Sequence, residues 1–179
     1  MVTNKCLKIL STGGIIIYPT DTVYGIGCDA TNINSILKIN KIKKREPYTP
    51  LICLMDSLEM VKKYVSNVPD ISLDYLLNSG EPTTVIFSKS KNLESYPKSI
   101  AVRIPKNKIC LQLIQNLKKP ITSTSANFTG KKIPKYYEQI DKDLLDLVNY
   151  SINFDNNQKN KSSRIISIDD NSNVKIIRN

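Results

Sequence analysis

Apolar residues follow two spacings along the chain, and these spacings predict its helices and strands. Apolar positions three and four apart predict helices, whereas short β-branched runs bounded by glycine or proline predict buried strands. Helices are predicted over residues 3–12, 33–45, 56–65, 70–78, 107–117 and 136–149. Strands are predicted over residues 15–18, 51–54, 83–88, 100–104, 151–154, 164–168 and 174–178, with a further short strand from residue 120.

Helices and strands alternate in this pattern, which predicts an α/β fold. The closing strands lie too near one another for helical crossovers, so the sheet should be twisted and mixed, parallel and antiparallel, with helices flanking it. Asp56 with Glu59 three residues later predicts a capping box, and Asn107 is expected to cap a later helix. Residues 155–163 are predicted to form a polar loop. No repeat or long linker divides the chain, so one domain over 1–179 is expected.

Composition narrows the chemistry that this fold can carry. The chain has 179 residues, 40% of them hydrophobic, and a formal net charge of +10. It has no apolar run long enough to span a membrane and no secretory signal pattern, so a cytoplasmic protein is expected. It also has no histidine, which removes the usual general base and the commonest metal ligand. The four cysteines lie far apart without a C-x-x-C pair, and we expect them to be reduced and mostly buried.

The positive charge is unevenly shared between the two basic residue types. Of the 26 cations, 22 are lysine and only four are arginine. A lysine cannot replace a guanidinium that binds a carboxylate or phosphate through two parallel hydrogen bonds. An arginine kept in so lysine-rich a chain is therefore a candidate ligand-binding residue, although each one could equally be a surface remnant. The four are Arg45, Arg103, Arg164 and Arg178.

Three segments hold more small polar and basic residues than a plain fold requires. Residues 19–27, PTDTVYGIG, follow a predicted buried strand, where ligands of α/β sheets commonly bind. Residues 41–45, KIKKR, could clamp a phosphate, and residues 123–127, STSAN, offer four hydrogen-bonding side chains. Each also has a purely structural interpretation: a glycine turn, a solvated helix end and a side-chain-capped turn, respectively.

These segments also occur together in one order along the chain. Four strings follow one another along the chain: PTDTVYGIG, the K-x-R of residues 43–45 followed by Pro50, AVRIP at residues 101–105, and STSAN. In order and spacing they resemble the YrdC-like family, and in particular its single-domain threonylcarbamoyl-AMP synthases, over nearly the whole chain. The resemblance implies a twisted mixed α/β sheet with a basic concave face. It also implies an enzyme that forms threonylcarbamoyl-AMP and pyrophosphate from L-threonine, bicarbonate or CO2, and ATP.

The resemblance further implies a role for individual residues at matching positions. Those implied to be catalytic at the nucleotide site are Lys43, Arg45, Ser125 and Asn127, and Ser99 and Arg178 are expected with them near ATP. Those expected near threonine are Thr22, Arg103, Ser123 and Ser163, with Arg103 meeting the carboxylate. Three positions depart from the family pattern: Thr49 for Asn or Lys, Leu54 for a histidine of longer relatives, and Arg164 for Thr. No resident metal is implied, and Mg2+ is expected to be carried by ATP.

The implied reaction does not need histidine. Threonine's amine and CO2 give a carbamate that is already anionic, so positioning and charge neutralisation carry the catalysis. A separate threonylcarbamoyl-transferase complex is the implied consumer, modifying tRNA. The alternative from another class is a non-catalytic module that binds double-stranded RNA or tRNA through the basic surface. A third interpretation is a carbamoyl-transfer domain like that of hydrogenase-maturation proteins.

Overall fold

A computed structural model describes residues 2–96, 98–154 and 161–179. Nine of its strands form one mixed sheet in the order β7-β1-β2-β6-β3-β5-β4-β8-β9. The strands are β1 Ile16–Tyr18, β2 Gly25–Gly27, β3 Ile52–Leu54, β4 Thr83–Phe87, β5 Ile100–Arg103, β6 Ile121–Ser125, β7 Tyr150–Ser151, β8 Arg164–Ile168 and β9 Val174–Arg178. Three neighbouring pairs are parallel, β1 with β7, β3 with β5 and β4 with β8, and the others are antiparallel. The predicted mixed α/β fold is confirmed.

Helices cover both faces of the sheet. They are α1 Val2–Ser11, α2 Ile33–Ile42, α3 Leu58–Tyr64, α4 Ile71–Leu73 with a π-helical turn Asp74–Asn78, α5 Lys108–Leu117 and α6 Lys142–Asp146, with a 3₁₀ turn Tyr137–Gln139 before α6. As predicted, Asn107 caps α5 by accepting hydrogen bonds from the backbone N–H groups of Ile109 and Cys110. In the described part of the chain, no helix is both long and apolar enough to cross a bilayer.

Side chains that alternate along each strand build two separate cores. Ile17 of β1 and Cys53 of β3 belong to the larger core, which α2 and α3 complete. Their neighbours on the opposite face, such as Tyr18 and Leu54, pack with α1 and α5 in the smaller core. Helices α1 and α5 cover only part of the sheet face that carries the smaller core. On this face of β6, Ile121 belongs to the core, and the next two side chains along the strand are Ser123 and Ser125. The sheet therefore presents a polar, uncovered region beside α1 and α5.

Strand β2 was not predicted, because a Gly-Ile-Gly segment has poor β-propensity. Glycine is required there by the closeness of β6. A Cβ atom at Gly27 would lie 1.9 Å from the backbone oxygen of Thr122, a distance that no side chain could occupy. Packing against β6 therefore imposes an extended conformation that local propensity does not favour.

Further features differ from the predictions, and one is the end of α2, which is Ile42 instead of the predicted residue 45. The helix predicted over residues 136–149 is divided, because the side chain of Asp141 caps a new helix start by accepting from the N–H of Asp143. The capping box at Asp56 is wrong: the cap of α3 is Ser57, which accepts from the N–H of Met60 and donates to Asp56. The strand predicted over 151–154 is instead Tyr150–Ser151. Residues 155–160 of the predicted loop lie outside the described residues.

The cysteine prediction is confirmed. All four are buried free thiols, distributed between the two cores: Cys28 and Cys53 in the larger, Cys6 and Cys110 in the smaller.

Candidate functional site

A solvent-open cavity of about 250 Å³ lies on the uncovered region of the sheet. The described residues that line it are Thr22, Val23, Gly25, Arg45, Pro50, Leu51, Ile52, Arg103, Ser123, Thr124, Ser125, Ile133, Ser162, Ser163, Ile165 and Arg178. This lining contains three arginines and six hydroxyl side chains, and no acidic side chain. A cavity of this composition attracts anions, because guanidinium groups supply both charge and several hydrogen-bond donors.

Arg103 ends β5 and is held at the base of the cavity, 3% exposed. Its Nη1 donates to Thr22 Oγ1 at 3.0 Å, and its Nη2 lies 3.6 Å from Asp21 Oδ1. Its Nε is buried and has no hydrogen-bond partner. An unsatisfied buried donor costs about 1–3 kcal/mol.

The segment that presents Thr22 is fixed by its own hydroxyl groups. Thr20 Oγ1 donates to the backbone oxygen of Val23 at 2.7 Å, so the 2.8 Å bond between the two threonine hydroxyls has Thr22 as its donor. The hydroxyl of Thr22 keeps a lone pair for Arg103. The residues that follow the predicted buried strand are thus preorganised toward the cavity.

Arg45 reaches the cavity from the turn after α2. Lys44 adopts a left-handed conformation, with φ of 51°, and the N–H of Arg45 bonds back to Asn40. The amide of Asn40 then holds the following loop by donating to the backbone oxygens of Pro47 and Thr49. Burial lowers the pKa of Arg45, whose guanidinium forms no ion pair with any described residue.

Lys43 lies two residues before Arg45 but does not line the cavity. Its ammonium donates to the backbone oxygens of Ser125 and Asn127 at 2.6 and 2.5 Å, and to Asn127 Oδ1 at 3.0 Å. An ammonium group has only three N–H donors, and all three are used. Burial and the neighbouring Arg45 lower the pKa of Lys43 to about 7.

The side chain of Asn127 also forms its hydrogen bonds within the protein. Its Oδ1 accepts from Lys43 and from Ser125 Oγ at 2.7 Å, while its Nδ2 donates to the backbone oxygen of Lys131 at 2.5 Å. Thr129 Oγ1 also donates to the backbone oxygen of Lys43. The K-x-R and S-x-N segments, 82 to 84 residues apart, are therefore bound to each other at the edge of the cavity.

Arg178 and Ser163 form the far side of the cavity. Nε and Nη2 of Arg178 donate to the backbone oxygen of Ser163 at 3.2 and 2.7 Å. The hydroxyl of Ser163 bonds to Thr84 Oγ1 at 2.8 Å. Burial, and to a smaller extent the charge of Arg103, lower the pKa of Arg178. These two arginines are thus close enough to affect each other electrostatically.

The cavity lining includes seven of the ten residues that the sequence resemblance implied: Thr22, Arg45, Arg103, Ser123, Ser125, Ser163 and Arg178. Lys43 and Asn127 lie behind it and support it. Ser99 stands apart, because it precedes β5 whereas Arg103 ends it, a separation of roughly 13 Å along the strand.

The three departures from the family pattern are not among the residues that line the cavity. Leu54 is fully buried in the smaller core. Arg164 alternates with the lining residues Ser163 and Ile165, and its guanidinium lies 5.9 Å from the ring of Tyr75. The backbone oxygen of Thr49 accepts from Asn40 within the loop that follows α2.

Four polar residues at the cavity were not assigned a role from the sequence: Thr124 and Ser162 line it, and two others contact lining residues. Asp21 lies beside Arg103, and Thr84 bonds to Ser163. The string PTDT contains Asp21, and an acidic side chain between two threonines next to a buried strand was an available signal. Two adjacent threonines within a strand of apolar residues were the signal for Thr84.

Comparison with known proteins identifies relatives over most of the chain. The family model for Sua5, YciO and YrdC, described as "Telomere recombination", matches residues 8–179. A threonylcarbamoyl-AMP synthase of Psychromonas ingrahamii is 35% identical over 146 residues, 78% of this chain and 76% of the relative. One of Vibrio campbellii is 32% identical over 169 residues, covering 90% of this chain and 91% of the relative.

A solved structure shares the fold. The crystal structure of Pyrococcus abyssi Sua5 complexed with L-threonine superposes with a TM-score of 0.83 at 24% identity over 92% of this chain. The match covers 50% of the Sua5 chain, so this protein spans half the length of that relative.

Proposed function

The chain belongs to the Sua5/YciO/YrdC family, and from that premise we propose that it is a threonylcarbamoyl-AMP synthase. The proposed reaction joins L-threonine, bicarbonate or CO2, and ATP into L-threonylcarbamoyl-adenylate and releases pyrophosphate. The observation that carries the proposal is the cavity lined by three arginines and six hydroxyl groups without an acidic side chain among its described lining residues. This lining suits two anionic substrates, an amino acid and a nucleoside triphosphate.

Arg103 is the residue that we assign to the carboxylate of threonine. Its guanidinium lines the cavity, is fixed by the hydrogen bond to Thr22, and has further N–H groups beyond the one donated there. A guanidinium held in one orientation can grip a planar carboxylate through two hydrogen bonds. Thr22 and Ser123, which line the cavity nearby, are proposed to contact the rest of the amino acid.

Arg45 and Arg178 are assigned to the triphosphate. Both line the cavity, and neither forms an ion pair within the described ranges. Lys43 and Asn127 are proposed to act as positioning residues, since their polar atoms are already bonded to each other and to backbone. They would hold Ser125 and the Arg45 turn in place.

The proposed chemistry requires little from the protein beyond positioning. The amine of threonine adds to CO2, which forms an N–C bond and releases a proton to solvent. An oxygen of the resulting carbamate attacks the α-phosphorus of ATP, and the bond to the bridging oxygen breaks as pyrophosphate leaves. The carbamate is already anionic, so this attack needs no base, and the arginines stabilise the charge on the phosphates.

Magnesium is proposed to enter as part of the substrate, bound to phosphate oxygens of ATP. Mg2+ prefers carboxylate and phosphate oxygens. The described lining offers guanidinium and hydroxyl groups instead, and the described residues contain no cluster of three possible metal ligands. A resident magnesium ion does not fit this lining.

Partners and location follow from the same proposal. We propose that the adenylate is consumed by a threonylcarbamoyl-transferase complex acting on tRNA, and that the reaction takes place in the cytoplasm, where ATP is available. Lys131 and Lys132 are exposed next to Ile133, which lines the cavity. Their charge favours docking of tRNA or a tRNA-bound partner near the cavity mouth.

Pyrophosphate release tests the proposed function directly. We expect purified protein to release pyrophosphate from ATP only when L-threonine and bicarbonate are both present, with the adenylate identified by mass spectrometry. Arg45→Ala and Lys41→Ala provide a matched pair in which only the first should lose activity, excluding a contaminating enzyme. Equal turnover with L-serine or L-alanine, or no turnover in any mixture, would contradict the proposal.

A further inference from the structure

We propose that Asp21 sorts the two anionic substrates within the cavity. Asp21 lies beside Arg103, and its negative charge disfavours binding of the polyphosphate there. Arg103 is then left for the carboxylate of the amino acid, and the polyphosphate binds to Arg45 and Arg178. The inference rests on the proposed function, because it concerns where each of its two anions binds.

The three arginines of the cavity differ in their acidic neighbours. Arg103 has a carboxylate oxygen 3.6 Å from its Nη2. In the part of the chain that the structure describes, neither Arg45 nor Arg178 forms such a pair. The lining at Arg103 is thus partly neutralised, whereas the charges of Arg45 and Arg178 are not.

The contact between Asp21 and Arg103 is electrostatic and is not a hydrogen bond. Oδ1 of Asp21 is buried and accepts no hydrogen bond, although the side chain as a whole is 13% exposed. The carboxylate therefore lowers the local positive potential without occupying the N–H groups of Arg103. Arg103 lines the cavity and donates only one of its five N–H groups to Thr22, so it keeps donors for a ligand.

Sorting is needed because Arg103 and Arg178 line the same cavity, where one polyphosphate could contact both. The charge of Arg103 contributes to the lowered pKa of Arg178, so the two guanidinium groups lie within electrostatic reach of each other. A flexible polyphosphate bound at Arg178 could extend to Arg103 and block the amino acid. Repulsion from Asp21 grows with the charge of the ligand, so it acts more strongly on a polyphosphate than on a monoanionic carboxylate. A repulsive element of this kind is a common source of specificity.

Binding measurements with inorganic tripolyphosphate test this inference without requiring turnover. L-threonine is titrated calorimetrically into the protein at increasing tripolyphosphate. In the wild type we expect both to bind together, so the apparent Kd for L-threonine should change by less than about twofold. In Asp21→Asn, tripolyphosphate should reach Arg103 and compete. At ten times its own Kd it should then raise the apparent Kd for L-threonine about tenfold.

Control variants separate charge from structure. Asp146→Asn removes the same charge from an exposed position on α6 and should behave as the wild type. Asp21→Glu restores the carboxylate and should restore simultaneous binding. Asp21→Ser serves the same purpose as the Asn variant if that variant does not fold.

Two results would overturn the inference alone: competition already present in the wild type, or simultaneous binding that persists in Asp21→Asn and Asp21→Ser. A wild-type protein that binds neither tripolyphosphate nor L-threonine would overturn the proposed function and this inference with it.

Discussion

Lys43 and Arg45 are two positions apart, yet their charged groups lie in opposite surroundings. The ammonium of Lys43 is buried and gives each of its three N–H groups to an oxygen of the 125–127 segment. The guanidinium of Arg45 lines the open cavity and has no ion-pair partner among the described residues. One cation joins two parts of the protein, and the other is left for a ligand.

Two cationic residues of one motif can therefore have different roles: Lys43 stabilises the fold, and Arg45 is available to bind a ligand. The deciding quantity is the number of donors left after the contacts within the protein are counted. Lys43 has none left, whereas the guanidinium of Arg103, which lines the cavity, donates only one of its five N–H groups to Thr22. Substitutions should therefore affect stability at the Lys43 region and ligand binding at the arginine-lined cavity.

The largest stability effect is expected from Lys43→Met. Methionine leaves the backbone oxygens of Ser125 and Asn127 without their donor in a buried position. The free energy of unfolding should fall by roughly 3–5 kcal/mol, measured by urea denaturation. Lys41→Met, at an exposed position of α2, should change it by less than about 0.5 kcal/mol. A Lys43 variant as stable as the wild type would show that the contrast is wrong.

Arg45→Ala should give the converse result. Removal of a charge-assisted phosphate contact worth about 1.5–3 kcal/mol should lower kcat/KM at least about tenfold. Because no described acidic partner is left unpaired, the urea midpoint should remain close to that of the wild type. A large loss of stability together with unchanged kcat/KM would show that Arg45, like Lys43, stabilises the fold and does not bind substrate.

The free energy of unfolding should also depend on pH, because burial lowers the pKa of Lys43. Lys43 has a pKa of about 7 in the folded protein and an ordinary value of 10.5 when unfolded, so between these limits the unfolded chain binds more protons. The free energy of unfolding should therefore rise with pH from about 7, by less than about 1.4 kcal/mol per pH unit. The rise should be present in the wild type and absent from Lys43→Met. A difference between the two that stays flat from pH 7 to 9.5 would contradict the assigned burial.

The smallest effect is expected at Thr84. Thr84→Val keeps the shape of the side chain but removes the hydroxyl that bonds to Ser163. We expect a loss of about 1 kcal/mol in unfolding free energy. In a double-mutant cycle, Thr84→Val combined with Ser163→Ala should cost clearly less than the sum of the single changes. Additive losses would indicate that the two hydroxyls do not interact.

Local patterns explain why most elements were predictable. Strands such as β4 and helices such as α5 are marked by runs and spacings that belong to one segment. Strand β2 was not predictable because its conformation depends on the close approach of β6 to Gly27. The division of the helix predicted over 136–149 depended on Asp141, whose side chain caps the next helix instead of continuing the first.

The candidate site was predictable to a similar degree. The family resemblance implied seven residues that the cavity brings together, and the scarcity of arginine independently pointed to three of them. The hydrogen-bond partners of these residues could not be predicted, because they lie in distant segments of the chain. Asp21 and Thr84 were missed for the same reason, since their contacts with Arg103 and Ser163 are also long-range.

The alternation of helices and strands and the residue types available for anion binding could be read from the sequence alone, because both are properties of short segments. The long-range contacts follow from the fold: residues more than eighty positions away use all the donors of Lys43, Asp21 lies beside Arg103, and Arg103 and Arg178 line one cavity. Those contacts depend on the order of strands in the sheet, which brings distant segments together and which local spacing does not encode.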